Sequence, residues 1–105
     1  MSVIRRREGV DRDIAELAEF FLSRSEPVAF RFVDAVQTTL KDLAAMPGLG
    51  SPKYFNDVRV AGLRSWRVKG FPNHLIFYQP MDNGIMVLAV IHGARDLEPF
   101  LKQRA

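Results

Sequence analysis

Seven consecutive apolar residues, Ile85 to Ile91, form the longest unbroken hydrophobic run of the chain. A membrane helix needs about 20 such residues, so this run is too short to span a bilayer. Apolar on both faces, it reads as a central strand covered on both sides. Whatever else the chain does, it must build a sheet around this strand and find layers to bury it.

The preceding chain supplies the material. Val10, Ile14, Leu17, Ala18, Phe21 and Leu22 recur at spacings of three and four, one face of an amphipathic helix with Asp11 as its candidate N-cap. A second helix starts near Ser25, a capping residue, with Pro27 in the first turn. Val28, Phe32, Ala35, Val36, Leu40 and Leu43 make its stripe, and Met46-Pro47-Gly48 ends it. The two helices form an antiparallel hairpin. Ser2 to Arg6 is β-compatible and reads as an edge strand.

Residues 47–57 are a Pro/Gly-rich connection, and Val58 to Val60 is a short strand or turn. Leu63 to Lys69 and His74 to Gln79 read as strands, parted by a turn at Gly70-Phe71-Pro72-Asn73. Pro80 to Gly84 makes a hairpin connection into the apolar run. Gly93 to Asp96 turns the chain, and Leu97 to Lys102 forms a last short helix capped by Asp96. The order is β-α-α-β-β-β with a tail: an α+β domain over residues 1–105, its helical hairpin packed on a small, mostly antiparallel sheet. The other sheet face is expected to be open or partly covered by the tail.

Composition excludes several kinds of chemistry. The 105 residues hold no cysteine, which removes disulfides, thiol nucleophiles and cysteine-ligated metals and suits a reducing compartment. No export signal is visible, because Arg5-Arg6-Arg7 is followed by no apolar stretch. The expectation is a cytoplasmic protein with no membrane partner. The net charge of +3 is unevenly spread: residues 8–46 carry eight acids against four bases, and residues 53–69 carry five bases against one acid. A basic middle suits an anionic partner, a nucleic acid or an acidic protein segment, or is simply a solvated strand face.

Strand alternation puts Arg64, Trp66 and Val68 on one side and Ser65, Arg67 and Lys69 on the other. Arg67, Lys69, His74, Tyr78, His92 and Arg95 could gather on a concave sheet. Such a set could cleave RNA without metal, one group taking the 2′-OH proton, another protonating the leaving oxygen, and arginines steadying the charge. Equally, Tyr78 and His92 could be half-buried strand residues with satisfied hydrogen bonds. No metal or cofactor is expected: the two histidines stand 18 positions apart, and no dinucleotide or phosphate fingerprint is present. Asp11, Asp13, Glu16 and Glu19 read as the solvated side of the first helix.

Several segments, taken in order, resemble the ParE branch of the ParE/RelE toxin superfamily of bacterial type II toxin–antitoxin modules. They are Asp13-Ile14, Ala29 with Phe32, Leu43 with Pro47, Leu49 and Gly50, Gly62-Leu63-Arg64, the run His74-Leu75-Ile76-Phe77-Tyr78, Asn83-Gly84-Ile85 and the closing Val90 to Asp96. The resemblance implies a β-α-α-β-β-β fold and a toxin, in the ParE branch a non-enzymatic inhibitor of DNA gyrase.

It also implies a ParD-like antitoxin whose disordered acidic segment folds on the toxin in a hetero-oligomer and often adds a strand to a sheet edge, the short first strand here being a candidate. No nucleic-acid binding by the protein alone is implied. The antitoxin- or target-binding set would be Arg59, Arg64, Trp66, Arg67, Lys69, His74, Tyr78, His92 and Arg95. The RelE branch would instead imply a ribosome-dependent mRNA endonuclease using Arg67, Lys69 and Arg95. The tail from Leu97 has no tyrosine or histidine to move a proton, and this departure counts against cleavage. A non-toxic remnant that only binds its antitoxin is the third reading.

Overall fold

The computed structural model describes residues 2–93 and 97–105. Its elements run β1 (Val3–Arg6), α1 (Val10–Leu22), α2 (Glu26–Ala45), β2 (Ser51–Pro52), a 3-10 turn (Val58–Val60), β3 (Arg64–Val68), β4 (Phe71–Met81), β5 (Gly84–His92) and α3 (Leu97–Arg104). The sheet has five strands in the order β1-β5-β4-β3-β2. β1 runs parallel to β5, and the remaining pairs are antiparallel.

The expected architecture is present, with β1 at one edge. The two-residue β2 is additional. β4 is longer than His74 to Gln79 because the turns at its ends are tight: Gly70 adopts φ 79° before it, and only Asp82-Asn83 separate it from β5. The apolar run occupies the middle of the sheet, as its composition requires.

Both faces of β5 are covered. On one face α1 and α2 bring Val10, Ile14, Phe32, Val36, Leu40 and Leu43 onto Val68, Ile76, Tyr78, Ile85, Val87 and Val90. On the other, Leu101 of α3 and Val60 and Leu63 of the β2–β3 connection cover Phe77, Leu88, Ala89 and Ile91. An open second face is therefore ruled out. A register shift opposite Phe77/Tyr78 pairs Phe77 with Ala89 and Tyr78 with Val87, leaving Leu88 as the extra residue of a bulge. Leu88 and Ala89 both enter the second core.

β5 outruns β1. The pairing covers Gly84 to Val87, and Arg7 N–H adds one more bond to the Val87 carbonyl at 2.9 Å. Beyond it, side chains supply the partners. Asp13 of α1 accepts the Val90 N–H at 3.1 Å, and Arg104 of α3 donates to the Leu88 carbonyl at 3.1 Å. The two side chains also join each other at 2.7 and 2.9 Å. Asp13 is buried, so its place on the solvated side of α1 is corrected. It falls three positions after Val10 and four before Leu17, on the buried stripe. Pairing with Asp13 also drives the Arg104 pKa upward.

Helix starts follow local chemistry. The Ser25 hydroxyl caps α2 by accepting the Val28 N–H. Asp11 does not cap α1: the helix begins one residue earlier, after Gly9 at φ 97°, and Asp11 pairs with Arg6 at 2.6 Å. Gly9 also lies where a Cβ would stand 2.7 Å from the Arg104 guanidinium carbon. Asp57 caps the 3-10 turn by accepting the Arg59 N–H. Asp96, expected to cap α3, and Arg95 lie outside the described residues.

Gly84 admits no side chain, since a Cβ there would overlap the Val3 carbonyl. Gly84→Val should cost roughly 1–3 kcal/mol through forced displacement of β1, read by urea denaturation, while a cost near zero would show that β1 moves freely. Asp13→Ala orphans the Val90 N–H and strips Arg104 of its carboxylate. A loss of about 1–3 kcal/mol is expected, and a cycle with Arg104→Ala should show that the two losses do not add.

Candidate interaction surface

The β2–β3 pairing stops at Ser65. From Trp66 to Val68, β3 is therefore an outer sheet edge with no strand beside it among the described residues. Antiparallel alternation turns the Arg67 backbone N–H and C=O toward that open side. Trp66 is half-buried, packed at the margin of the helix-side core, and the exposed Arg67 guanidinium stands 5.7 Å from its ring centroid. A groove of about 460 Å³ between α2 and β3 is lined by Thr39, Asp42, Trp66, Lys69 and Pro72. A second, of about 290 Å³, lies across the edge against Ser51, Ser65, Arg67 and Leu75. Trp66, Arg67 and Pro72 border both.

The basic residues divide by what they already hold. Arg59 is committed to Asp57, with 2.7 Å between charged atoms, and its side-chain hydrogen bond holds that carboxyl down at about 2. Arg64 donates to the Gly50 carbonyl at 2.6 Å and to the Gly48 carbonyl at 3.3 Å, tying the α2–β2 connection to β3. Arg67 and Lys69 have no carboxylate partner among the described residues. The Lys69 backbone N–H is held by the Thr39 hydroxyl, which leaves its ammonium at the groove rim. Arg67, Lys69 and, nearer the start of the segment, Lys53 are thus the bases of the middle segment without a carboxylate partner among the described residues, and the first two follow Trp66 on the same stretch of chain.

Among the described residues, the RNA-cleaving set outlined by the sequence is divided between the two faces of the sheet. Tyr78 is fully buried on the helix side, its hydroxyl donating to the Pro47 carbonyl at 2.7 Å and accepting the Gly50 N–H at 2.8 Å. It clamps a loop and has no open face for a substrate. His74 is also buried on the helix side, among the rings of Phe21, Phe32 and Phe71. Burial, and after it the nearby His92, pushes the His74 imidazole below its ordinary 6.5. Arg67 projects from the opposite sheet face, beside Leu75. His92 lies directly across from His74 on β5.

The family described as "ParE toxin of type II toxin-antitoxin system, parDE" matches residues 4–97. The chain belongs to the ParE toxin family. A chain of the chromosomal ParDE TA system from P. aeruginosa has the same fold, with TM-score 0.68 over 88% of this chain and 96% of that one at 13% identity. No curated protein matches the chain. As a ParE-family toxin of a type II toxin–antitoxin system, it has no helix long and apolar enough to cross a membrane among the described residues.

The Tyr78 clamp carries its own pH signature. Burial disfavours the phenolate and raises the pKa above the ordinary 10.0, against a smaller downward pull from the Gly50 N–H. The fold favours the neutral phenol, so this contribution to stability is intact below about pH 10 and is lost as pH rises through the higher folded value. In a Tyr54→Phe variant Tyr78 is the only phenol, and its absorbance titration should lie above 10 in the native state and fall to about 10 in denaturant.

Proposed function

We propose that this ParE-family toxin inhibits DNA gyrase by binding, without catalysing a reaction, and that a co-encoded ParD-like antitoxin neutralises it in the cytoplasm. Family membership supports the toxin role. The observation that carries the binding reading is the Trp66-Arg67-Lys69 edge, which sets two cations without a carboxylate partner among the described residues beside a half-buried large aromatic and an open strand. Tryptophan and arginine are the residues that anchor protein interfaces. The burial of Tyr78 and His74 supports binding over RNA cleavage, since neither phenol nor imidazole is presented beside Arg67.

The antitoxin would approach the same edge. An acidic, extended segment can satisfy the outward Arg67 backbone groups, set carboxylates against Arg67 and Lys69, and lay apolar side chains into the grooves on either side. This moves the expected docking edge from β1 to β3. The β1 edge also carries exposed arginines, Arg5, Arg6 and Arg7, of which Arg6 is already bonded to Asp11 and Gln37.

A supercoiling assay with purified gyrase and relaxed plasmid tests the reading. Antitoxin-free protein should block supercoiling, and its induction in cells should stop DNA synthesis before protein synthesis. Supercoiling that proceeds unhindered, or cuts in translated mRNA that vanish in Arg67→Ala, would overturn it. Arg67→Glu combined with Lys69→Glu should weaken antitoxin binding by roughly 10–100-fold, measured by calorimetry at fixed salt.

A further inference from the structure

His74 and His92 are the only histidines of the chain, and the register of β4 and β5 sets them directly opposite one another. Their ring centroids lie 5.2 Å apart, with the planes at 82°. We propose that the two imidazoles form a cross-strand clip for a divalent transition metal of the zinc class.

The separation is the one such a clip requires. A zinc ion about 2.05 Å from an imidazole nitrogen lies about 3.2 Å from that ring's centroid, so two imidazoles at a tetrahedral angle have centroids about 5.2 Å apart. Imidazole suits zinc, copper and nickel, and no cysteine is present to compete for them. Phe21, Phe32 and Phe71 wall in His74, which fixes where its ring can point and lowers the entropic cost of ligation.

His92 is at the exposed end of β5, where the metal has access from solvent. Among the described residues no third histidine or carboxylate joins the pair, so the remaining coordination positions fall to water or to a donor outside that set. The bound ion would pin the end of the β4–β5 hairpin beside α1, against which His74 packs through Phe21.

The full-length protein is titrated with zinc chloride, following the thermal midpoint and the imidazole 1H–15N resonances. Zinc should raise the midpoint and perturb both imidazoles together, while magnesium should do neither. The rise should be lost in His92→Asn, an exposed substitution that leaves the core intact, and in His74→Gln. An equal rise in His92→Asn would mean an adventitious surface ion only. A wild-type spectrum in which the two imidazoles do not respond to millimolar zinc would mean that the contact is aromatic packing alone. Either result overturns the proposal, and neither needs the His74 variant to fold.

Discussion

β5 has to be paired along its whole length, and it outruns its parallel neighbour. A strand buried on both faces has no water for its backbone groups, so an unpaired N–H or C=O there costs as much as a lost core contact. Asp13 and Arg104 meet that demand at the bulge, one from the first helix and one from the last. Their mutual ion pair is a consequence of the same geometry, since a carboxylate and a guanidinium brought to adjacent backbone groups neutralise one another. The bulge turns Leu88 and Ala89 together into the second core, and Leu101 of α3 packs there. The position of α1, the docking of α3 and the closure of the second face all depend on that strand edge.

Much of this was legible in sequence because it is written in periodicity. The spacing from Val10 to Leu22, the Ser25 cap with Pro27, and the two-faced run from Ile85 to Ile91 each require one kind of element. What escaped depends on contacts between distant segments. Asp13 lies among acidic neighbours and reads as solvated unless its place on the buried stripe outweighs its charge. The two-residue β2 lies within a Pro/Gly-rich loop and has no pattern of its own. The second face was expected to be open or partly covered by the tail, because the tail's pattern is too short to say how much it covers. Its one buried residue, Leu101, and the Val60-Leu63 corner are enough to close it.

The basic middle shows the same limit in another form. Sequence alternation separates Arg67 and Lys69 from Arg64 and Trp66, but it cannot say which cations are already spent. The structure uses Arg59 and Arg64 to hold loops, whereas Arg67 and Lys69 have no carboxylate partner among the described residues. Register also decides the histidines: eighteen positions apart in the chain, they are neighbours across a strand pair, and no spacing rule for a single strand or helix would find them. Tyr78, which the sequence offers either as a member of a cleaving set or as a hydrogen-bonded strand residue, is a clamp because the α2–β2 loop closes over it.

The parallel pairing of β1 with β5 has a consequence for how the protein comes into being. Val3 waits for Gly84, and Asp13 waits for Arg104, so the contacts that finish the sheet join the two ends of the chain. Such long-range closure is slow to form and cannot begin while the C-terminal half is still inside the ribosome. β3 is also pinned on its inner side only by β4, which is synthesised after it. Nascent chains of this protein therefore cannot complete the sheet until β4, β5 and α3 have all emerged from the ribosome.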